Sequence, residues 1–284
     1  MKKNIAFKPL YLCNWSCEYC SVNNRKLLTS QPNIDTIKTL EIIEYYFSKY
    51  GNDFSYILSG GEPGLLERQW LSSFMELLVE YNINDIILQT NGTIFNHSYI
   101  DFSLFSEIQY HCIPYVRYPY DIKFNDFDDF NNLTYVVVLF NDDNNELKID
   151  DIYNFITKNY KVFKRHKLVV KLDVSVSMCT EFVVKIKELF KIINSSGFID
   201  ADFGIGKYKN ITYNNRIECM TSGKNTEVLF DRDILSMCCR TSYDINTISL
   251  PLTFENIDLL AENRICIYDE RCKDCKRLVN LWGK

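Results

Sequence analysis

The sequence predicts an α/β fold, a partial (βα)6 TIM-like barrel followed by a small cysteine-rich C-terminal domain. Short apolar stretches of strand length alternate with segments of helical periodicity up to about residue 206. Such repeats form parallel sheets or barrels, and these units are too few to close a complete barrel. We therefore predict a barrel domain of residues 1–206 and a C-terminal domain of residues 207–284. A doubly wound flat sheet is the alternative, because strand order cannot be read from the sequence.

Each predicted strand is a short apolar or alternating stretch, and two of them end at clear turn signals. The second strand ends at Gly60 and Gly61, and the third ends at Asn91 and Gly92. The predicted strands span residues 5–12, 54–58, 85–89, 108–116, 135–140, 168–178 and 199–205. In the C-terminal domain, residues 227–230 and 234–237 flank a polar turn and predict a β-hairpin.

Four segments carry apolar side chains at helical spacing. In the first of them Ile37, Ile43 and Phe47 mark one face, and Asn33 or Asp35 can cap its start. The second segment has the strongest amphipathic pattern. The predicted helices span residues 35–50, 70–81, 152–160 and 181–193.

Composition and charge exclude several functional classes. Hydrophobic residues make up 46% of the 284 residues and charged residues 24%, which is typical of globular proteins. No apolar run is long enough to cross a membrane, and neither the net charge of −5 nor any basic patch indicates nucleic-acid binding. No signal-peptide core follows the N-terminus, so we expect a cytoplasmic protein. An odd count of 11 cysteines in such a protein favours metal binding or redox chemistry over disulfides.

The first chemical motif, CNWSCEYC, directly follows the first predicted strand. Its thiolates, Cys13, Cys17 and Cys20, can bind three irons of a [4Fe-4S] cluster and leave the fourth iron open. Zinc is the alternative, but structural zinc usually takes two separated pairs of ligands, and the nearest histidine is His97.

Two further polar motifs follow the next two predicted strands. In SGGEP, residues 59–63, paired glycines let a backbone approach a ligand, and their amides can receive a charged group. In TNG, residues 90–92, the residues are also those of an ordinary turn. A strand-to-helix turn explains SGGEP equally well. Because parallel strands end at the same edge of a barrel, we expect the three motifs to lie together.

The C-terminal cysteines form a second constellation. Cys219, one residue of the pair Cys238 and Cys239, and the closing Cys272 and Cys275 offer four thiolates, enough for a cluster with no open iron. A four-cysteine zinc site is the alternative. The remaining Cys266 and the unused member of the pair are either alternative ligands, buried small hydrophobes or free thiols.

The first motif, CX3CX2C with an aromatic residue before its last cysteine, resembles the signature of the radical SAM superfamily. The resemblance implies that Cys13, Cys17 and Cys20 hold a [4Fe-4S] cluster whose open iron is chelated by S-adenosylmethionine. Reductive cleavage then yields a 5′-deoxyadenosyl radical that takes a hydrogen atom from the substrate. An electron donor such as flavodoxin or ferredoxin is implied as a partner. The residues that the resemblance assigns to the cofactor are Tyr19, Ser59, Gly60, Gly61, Glu62, Pro63, Thr90 and Asn91.

The C-terminal cysteines resemble the Twitch arrangement, the shortened relative of the SPASM domain. The resemblance implies one auxiliary [4Fe-4S] cluster on four ligands, Cys219, Cys238, Cys272 and Cys275. A full SPASM domain holds two clusters and uses more cysteines than this region offers, so one cluster is expected. Similar radical epimerases use a free cysteine as hydrogen-atom donor, and Cys239 is the candidate here.

The substrate expected from this resemblance is a ribosomal peptide that is crosslinked, given a thioether or epimerised. A dehydrogenase of a small alcohol or amino sugar is one alternative, and a non-catalytic iron–sulfur or zinc protein is another. No peptide-recognition extension precedes Cys13, so a peptide would be recognised directly or through a separate partner. An aromatic-rich middle region either lines an open barrel mouth or packs in the ordinary way. Its members are Tyr110, Tyr115, Tyr118, Tyr120, Phe124 and Phe127.

Overall fold

The computed structural model describes residues 2–10, 12–15, 17, 35–112, 130–139, 154–155, 158, 166–172, 201–203, 225–230, 234–236 and 249–263. The chain forms two compact units. The first unit comprises Met1–Ser16, Cys20–Ile108 and Glu218–Asp269, and the second comprises Cys17–Tyr19, Gln109–Ile217 and Glu270–Lys284.

The first unit contains the strand–helix repeats that the sequence predicts. Its parallel strands β1 (Lys3–Leu10), β2 (Phe54–Gly60) and β3 (Ile86–Thr90) are neighbours in the sheet. Two helices connect them, α1 (Thr36–Tyr50) between β1 and β2 and α2 (Arg68–Glu80) between β2 and β3. The side chain of Asp35 caps α1 by accepting a hydrogen bond from the amide of Lys38, as expected from its position.

The second unit continues with parallel strands. Strand β4 (Glu107–His111) begins in the first unit and ends in the second, and β5 (Leu133–Leu139), β6 (Lys167–Leu172) and β7 (Ala201–Phe203) follow it in that spatial order. The pairs β5–β6 and β6–β7 are parallel. The predicted class, α/β with an open sheet of barrel strands, is therefore confirmed.

Two predicted helices and the domain boundary fall wholly or partly on residues outside those described. Residues 154, 155 and 158 of the predicted helix 152–160 are helical, whereas the predicted helix 181–193 lies outside the described residues. The boundary at residue 207 also lies outside them and stays a prediction.

The predicted hairpin near the C-terminus is present as β8 (Asn225–Leu229) and β9 (Ile234–Ser236), which are antiparallel. The sequence did not predict that β8 pairs in parallel with β1, so that the hairpin extends the sheet of the first unit. A further strand, β10 (Ser249–Pro251), pairs with β9, and helix α3 (Phe254–Asn263) follows it. The hydroxyl of Thr253 caps the start of α3 by accepting a hydrogen bond from the amide of Asn256. Threonine is a common residue at this position, so the start of α3 could have been predicted from the sequence.

An aromatic cluster holds the first unit together around Phe7 of β1. The Phe7 ring stacks on Tyr56 of β2 at 5.6 Å and contacts Tyr46 and Phe47 of α1 at 5.6 and 5.9 Å between centroids. Phe230, directly after β8, approaches the same ring at 6.2 Å. Because each ring buries a large apolar area, this cluster couples β1, α1 and the hairpin into one core.

Helix α3 is attached to α1 through one carboxylate. Asp258 accepts hydrogen bonds from the hydroxyls of Tyr45 and Tyr50, at 2.9 and 2.6 Å, and its Oδ2 lies 2.6 Å from Nζ of Lys49. Three donors from α1 thus hold the last described helix in place through Asp258, near the middle of that helix. Among the described residues, no helix combines the length and the apolar character that crossing a membrane requires.

Candidate functional site

Three motifs lie at the C-terminal ends of β1, β2 and β3, as predicted. Strand β1 ends at Leu10, shortly before Cys13, and β2 ends at Gly60, within SGGEP. Strand β3 ends at Thr90, the first residue of TNG. Since the three strands are parallel neighbours, these segments share one edge of the sheet, and their side chains are in contact.

The backbone after β2 is bound to the backbone after β1. The amide of Gly61 donates to the carbonyl of Leu10 at 2.6 Å, and the amide of Glu62 donates to the carbonyl of Leu12 at 2.9 Å. For Gly61 this corrects the expectation that the paired glycines offer their amides to a ligand, because its amide is used within the protein. The glycines instead allow SGGEP to lie directly against the chain that leads to Cys13.

Glu62 joins the second motif to the third. Its side chain is only 1% exposed, and its Oε1 accepts hydrogen bonds from the amide of Gly64 at 2.8 Å and from the hydroxyl of Thr90 at 2.7 Å. Its Oε2 accepts a hydrogen bond from the amide of Asn91 at 2.6 Å. Both oxygens of the carboxylate are therefore engaged by the protein, and the group positions the end of β3 against the turn after β2.

Burial raises the pKa of the Glu62 carboxyl above its usual range, and this effect exceeds the opposing effect of the donors. The hydrogen bonds from Asn91, Thr90 and Gly64 favour the charged form, as does the nearby His97. Nε2 of His97 lies 2.7 Å from the carbonyl oxygen of Gly64, next to the carboxylate.

This pKa shift predicts a pH dependence of stability that Glu62→Gln removes. Because the pKa is raised in the folded state, the native protein keeps this proton at pH values where the unfolded chain has lost it. The contribution of Glu62 to the free energy of unfolding is thus fully present below the unfolded pKa, and it is lost as the pH rises through the folded pKa. We expect the free energy of unfolding in urea to fall less steeply for Glu62→Gln than for the wild type as the pH rises above the unfolded pKa of the carboxyl.

The comparison of slopes needs a matched control, because Glu62→Gln can also lower stability at every pH. Glu67 lies five positions further along, is exposed and makes no capping hydrogen bond to α2. Glu67→Gln makes the same substitution at an exposed position, and its slope serves as the reference for that of Glu62→Gln. Equal slopes for the wild type and Glu62→Gln would contradict the assigned pKa direction.

Asn91 is the centre of a closed hydrogen-bond ring. Its Oδ1 accepts hydrogen bonds from the amide and the hydroxyl of Thr93, at 3.0 and 2.7 Å. Its Nδ2 donates to Oδ1 of Asn14 at 2.8 Å, and Nδ2 of Asn14 donates to the hydroxyl of Thr93 at 2.9 Å. Neither Asn14 nor Thr93 was among the predicted site residues, although Asn14 lies within CNWSCEYC and Thr93 directly follows TNG.

Cys13 is partly exposed at this ring, and Cys17 is buried. The sulfur of Cys13 receives the backbone amide of Trp15 at 3.4 Å and Nδ2 of Asn91 at 3.6 Å. Nitrogen donors of this kind stabilise a thiolate, the form in which cysteine binds iron. The chemistry of Cys13 therefore fits the predicted cluster; Cys20 and Tyr19 lie outside the described residues.

No family model matches the sequence, and no curated protein matches it. Among solved structures, the chain is similar to Streptococcus suis SuiB bound to S-adenosylmethionine, at 14% identity and a TM-score of 0.53. That match covers 98% of this chain and 71% of the other. The chain is also similar to anSMEcpe with bound AdoMet, at 17% identity and a TM-score of 0.58. This second match covers 93% of this chain and 81% of the other. The chain has the fold of radical SAM enzymes.

Within this radical SAM fold, the remaining described residues of the predicted site are also at the strand ends. Ser59 and Thr90 are buried at the ends of β2 and β3, and Pro63 begins a short 3-10 turn. Gly64, in that turn, has no space for a Cβ, because Ile94 packs directly against it. The cysteines predicted to bind or to serve an auxiliary cluster lie outside the described residues: Cys219, Cys238, Cys239, Cys266, Cys272 and Cys275.

The described part of the aromatic-rich middle region does not line an open mouth. Tyr110 of β4 is fully buried and packs against Tyr135 of β5 at 5.8 Å between ring centroids, so ordinary packing explains it. The other five aromatic residues of that region lie outside the described residues. Cys112, which follows β4, is also fully buried, and burial raises the pKa of its thiol, so we expect it to be unreactive.

Proposed function

We propose that the protein is a radical SAM enzyme that holds a [4Fe-4S] cluster on Cys13, Cys17 and Cys20. The bound and reduced cluster would supply the electron that cleaves S-adenosylmethionine to a 5′-deoxyadenosyl radical, which abstracts a hydrogen atom from the substrate. The observation that carries this proposal is the hydrogen-bonded contact of Cys13, Glu62 and Asn91 at one edge of the sheet. These are one residue from each of the three motifs.

The roles of the site residues follow from where the chain directs their polar groups. Glu62 has both carboxylate oxygens hydrogen-bonded by the protein, so one of its roles is to position TNG. The glycines of SGGEP bring the backbone close to the cysteine segment. The proposed contacts to S-adenosylmethionine come from Tyr19, Ser59, Gly60, Gly61, Glu62, Pro63, Thr90 and Asn91.

We assign one auxiliary [4Fe-4S] cluster to Cys219, Cys238, Cys272 and Cys275. The supporting observations are that the hairpin β8–β9 lies in sequence between Cys219 and Cys238 and that β8 pairs with β1. The residues before Cys238 are thereby joined to the same sheet that carries Cys13. Cys239 is the proposed hydrogen-atom donor if the reaction is an epimerisation.

The proposed substrate is a ribosomal peptide that acquires a crosslink, a thioether or an epimerised residue. SuiB has been solved with the precursor peptide SuiA, and anSMEcpe with the Cp18Cys peptide, at TM-scores to this chain of 0.52 and 0.55. Because two proteins of similar fold have been solved with bound peptides, a peptide is the substrate that we propose for this chain. A flavodoxin or ferredoxin is the proposed electron donor.

Anaerobic reconstitution with iron and sulfide tests the proposal. We expect about eight irons per chain, from two cubane clusters, and 5′-deoxyadenosine when S-adenosylmethionine and dithionite are added. Bound zinc without cofactor cleavage would overturn the assignment in favour of a structural metal protein. About four irons per chain, together with cofactor cleavage, would contradict only the assignment of an auxiliary cluster.

Transfer of deuterium from a labelled substrate into 5′-deoxyadenosine distinguishes the candidate substrate classes. A short peptide encoded beside the gene and deuterated at its α and β carbons should transfer deuterium into 5′-deoxyadenosine. Transfer from a deuterated amino sugar or small alcohol, with none from the peptide, would instead identify a dehydrogenase.

A further inference from the structure

The side-chain amide of Asn91 has one defined orientation. Its Oδ1 accepts two hydrogen bonds from Thr93, one from the amide at 3.0 Å and one from the hydroxyl at 2.7 Å. Turning the amide over would place its NH2 group against the backbone N–H of Thr93, which is itself a donor. The hydrogen-bond partners alone therefore fix the orientation of the amide: the oxygen faces Thr93 and the nitrogen faces the opposite side.

The nitrogen of Asn91 has two hydrogens, and two acceptors lie within reach. Oδ1 of Asn14 lies at 2.8 Å and Sγ of Cys13 at 3.6 Å. Sulfur is larger than oxygen, so 3.6 Å is a hydrogen-bonding distance for an N–H donor to a thiolate. The backbone amide of Trp15 provides a second donor to the same sulfur, at 3.4 Å.

Asn91 is held rigidly in this position. Only 8% of the residue is exposed, and its own backbone amide is bound by Oε2 of Glu62 at 2.6 Å. Asn14 closes the ring by donating to the hydroxyl of Thr93. Since the donor is already ordered by the protein, little conformational entropy is lost when it binds the sulfur.

Hydrogen bonds to ligand sulfurs are one of the means by which a protein sets the potential of an iron–sulfur cluster. A donor withdraws electron density from the thiolate and stabilises the more negative, reduced cluster. We propose that the Nδ2–H of Asn91 donates to the thiolate of Cys13 and raises the reduction potential of the cluster that Cys13 binds. This inference rests on the proposed function. It gives TNG a role toward the cluster that is distinct from contact with S-adenosylmethionine.

The measurement is the midpoint potential of the cluster whose EPR signal changes on addition of S-adenosylmethionine, followed in a redox titration of reconstituted full-length protein. We expect the potential to fall in Asn91→Ala, which removes the donor. It should fall further in Asn91→Asp, which keeps the size of the side chain and the oxygen facing Thr93 but places an anionic oxygen near the sulfur. A purely structural role predicts the reverse order, because Asn91→Asp perturbs the packing less.

The matched control is Asn84→Ala, which makes the same substitution just before β3, at the other end of that strand, where Asn84 is exposed. It should leave the potential unchanged. If Asn91→Ala binds no cluster, Thr93→Val is titrated instead. It removes one of the two donors that orient the amide, and a smaller fall is expected.

Unchanged potentials in the Asn91 variants, or in Thr93→Val where that variant is needed, would overturn the inference while leaving the proposed function intact. A wild-type protein that binds no iron would overturn both. The signal that does not respond to S-adenosylmethionine serves as an internal reference, since its potential should be the same in every variant.

Discussion

Replacing Gly60 by alanine should lower the free energy of unfolding by on the order of 3 kcal/mol or more. Gly60 has φ of +125°, a backbone conformation that other residues rarely adopt, and a Cβ there would overlap the carbonyl oxygen of Leu10. The obstacle is backbone rather than a side chain that can rotate away. The same carbonyl accepts the amide of Gly61, so moving it also breaks a hydrogen bond. Urea unfolding of wild type and variant measures the loss.

Gly51→Ala is the control for backbone strain alone. Gly51 also has a positive φ, +47°, but nothing lies within 4 Å of a Cβ placed there. We expect a loss of about 1 kcal/mol, from strain without overlap. Equal losses in the two variants would mean that the strand ends separate easily, which would contradict the close packing of the SGGEP backbone on the cysteine segment.

Alanine at Cys13 should reduce formation of 5′-deoxyadenosine to background and remove about four irons per chain. The cluster has only three protein ligands. Loss of one of them leaves a second iron without a protein ligand, and we expect such a cluster not to be retained. The measurements are iron content and 5′-deoxyadenosine after anaerobic reconstitution. The spectrum of the auxiliary cluster should remain.

Cys112→Ala is the matched control for this variant. Cys112 is fully buried, away from solvent, and its thiol contacts the carbonyl of Val136. This variant should keep its iron and its cleavage activity, although loss of a buried group lowers its stability by about 1 kcal/mol. Cofactor cleavage by Cys13→Ala, or loss of both cluster signals in it, would contradict the assignment of Cys13 to a separate cluster.

Local patterns in the sequence were sufficient for the strand–helix repeats and for the positions of the three motifs. Apolar periodicity depends on a few neighbouring residues, so α1, α2 and the hairpin β8–β9 were predicted close to their observed bounds. The motifs follow strands, and parallel strands end at a common edge. The contact of Cys13 with the end of β3 could therefore be expected before any distance was known.

The partners of the motif residues could not be predicted in this way. Asn14 and Thr93 have no distinguishing sequence pattern, and they become important only because two strand ends place them about a side-chain length apart. The acceptors of the Gly61 and Glu62 amides are backbone carbonyls, which every residue has. Tyr110, predicted as a possible part of an open mouth, is buried because its strand directs it toward Tyr135.

The sequence by itself therefore determined which groups are available: a cysteine segment after β1, a glycine-rich turn with a carboxylate after β2, and an amide after β3. Each follows from residue type and local periodicity. Only the tertiary structure decided that the carboxylate of Glu62 is turned toward TNG and that the amide of Asn91 is turned toward the sulfur of Cys13. The reason is physical: hydrogen-bond direction depends on the relative positions of chain segments about 30 to 80 residues apart, and packing fixes those positions.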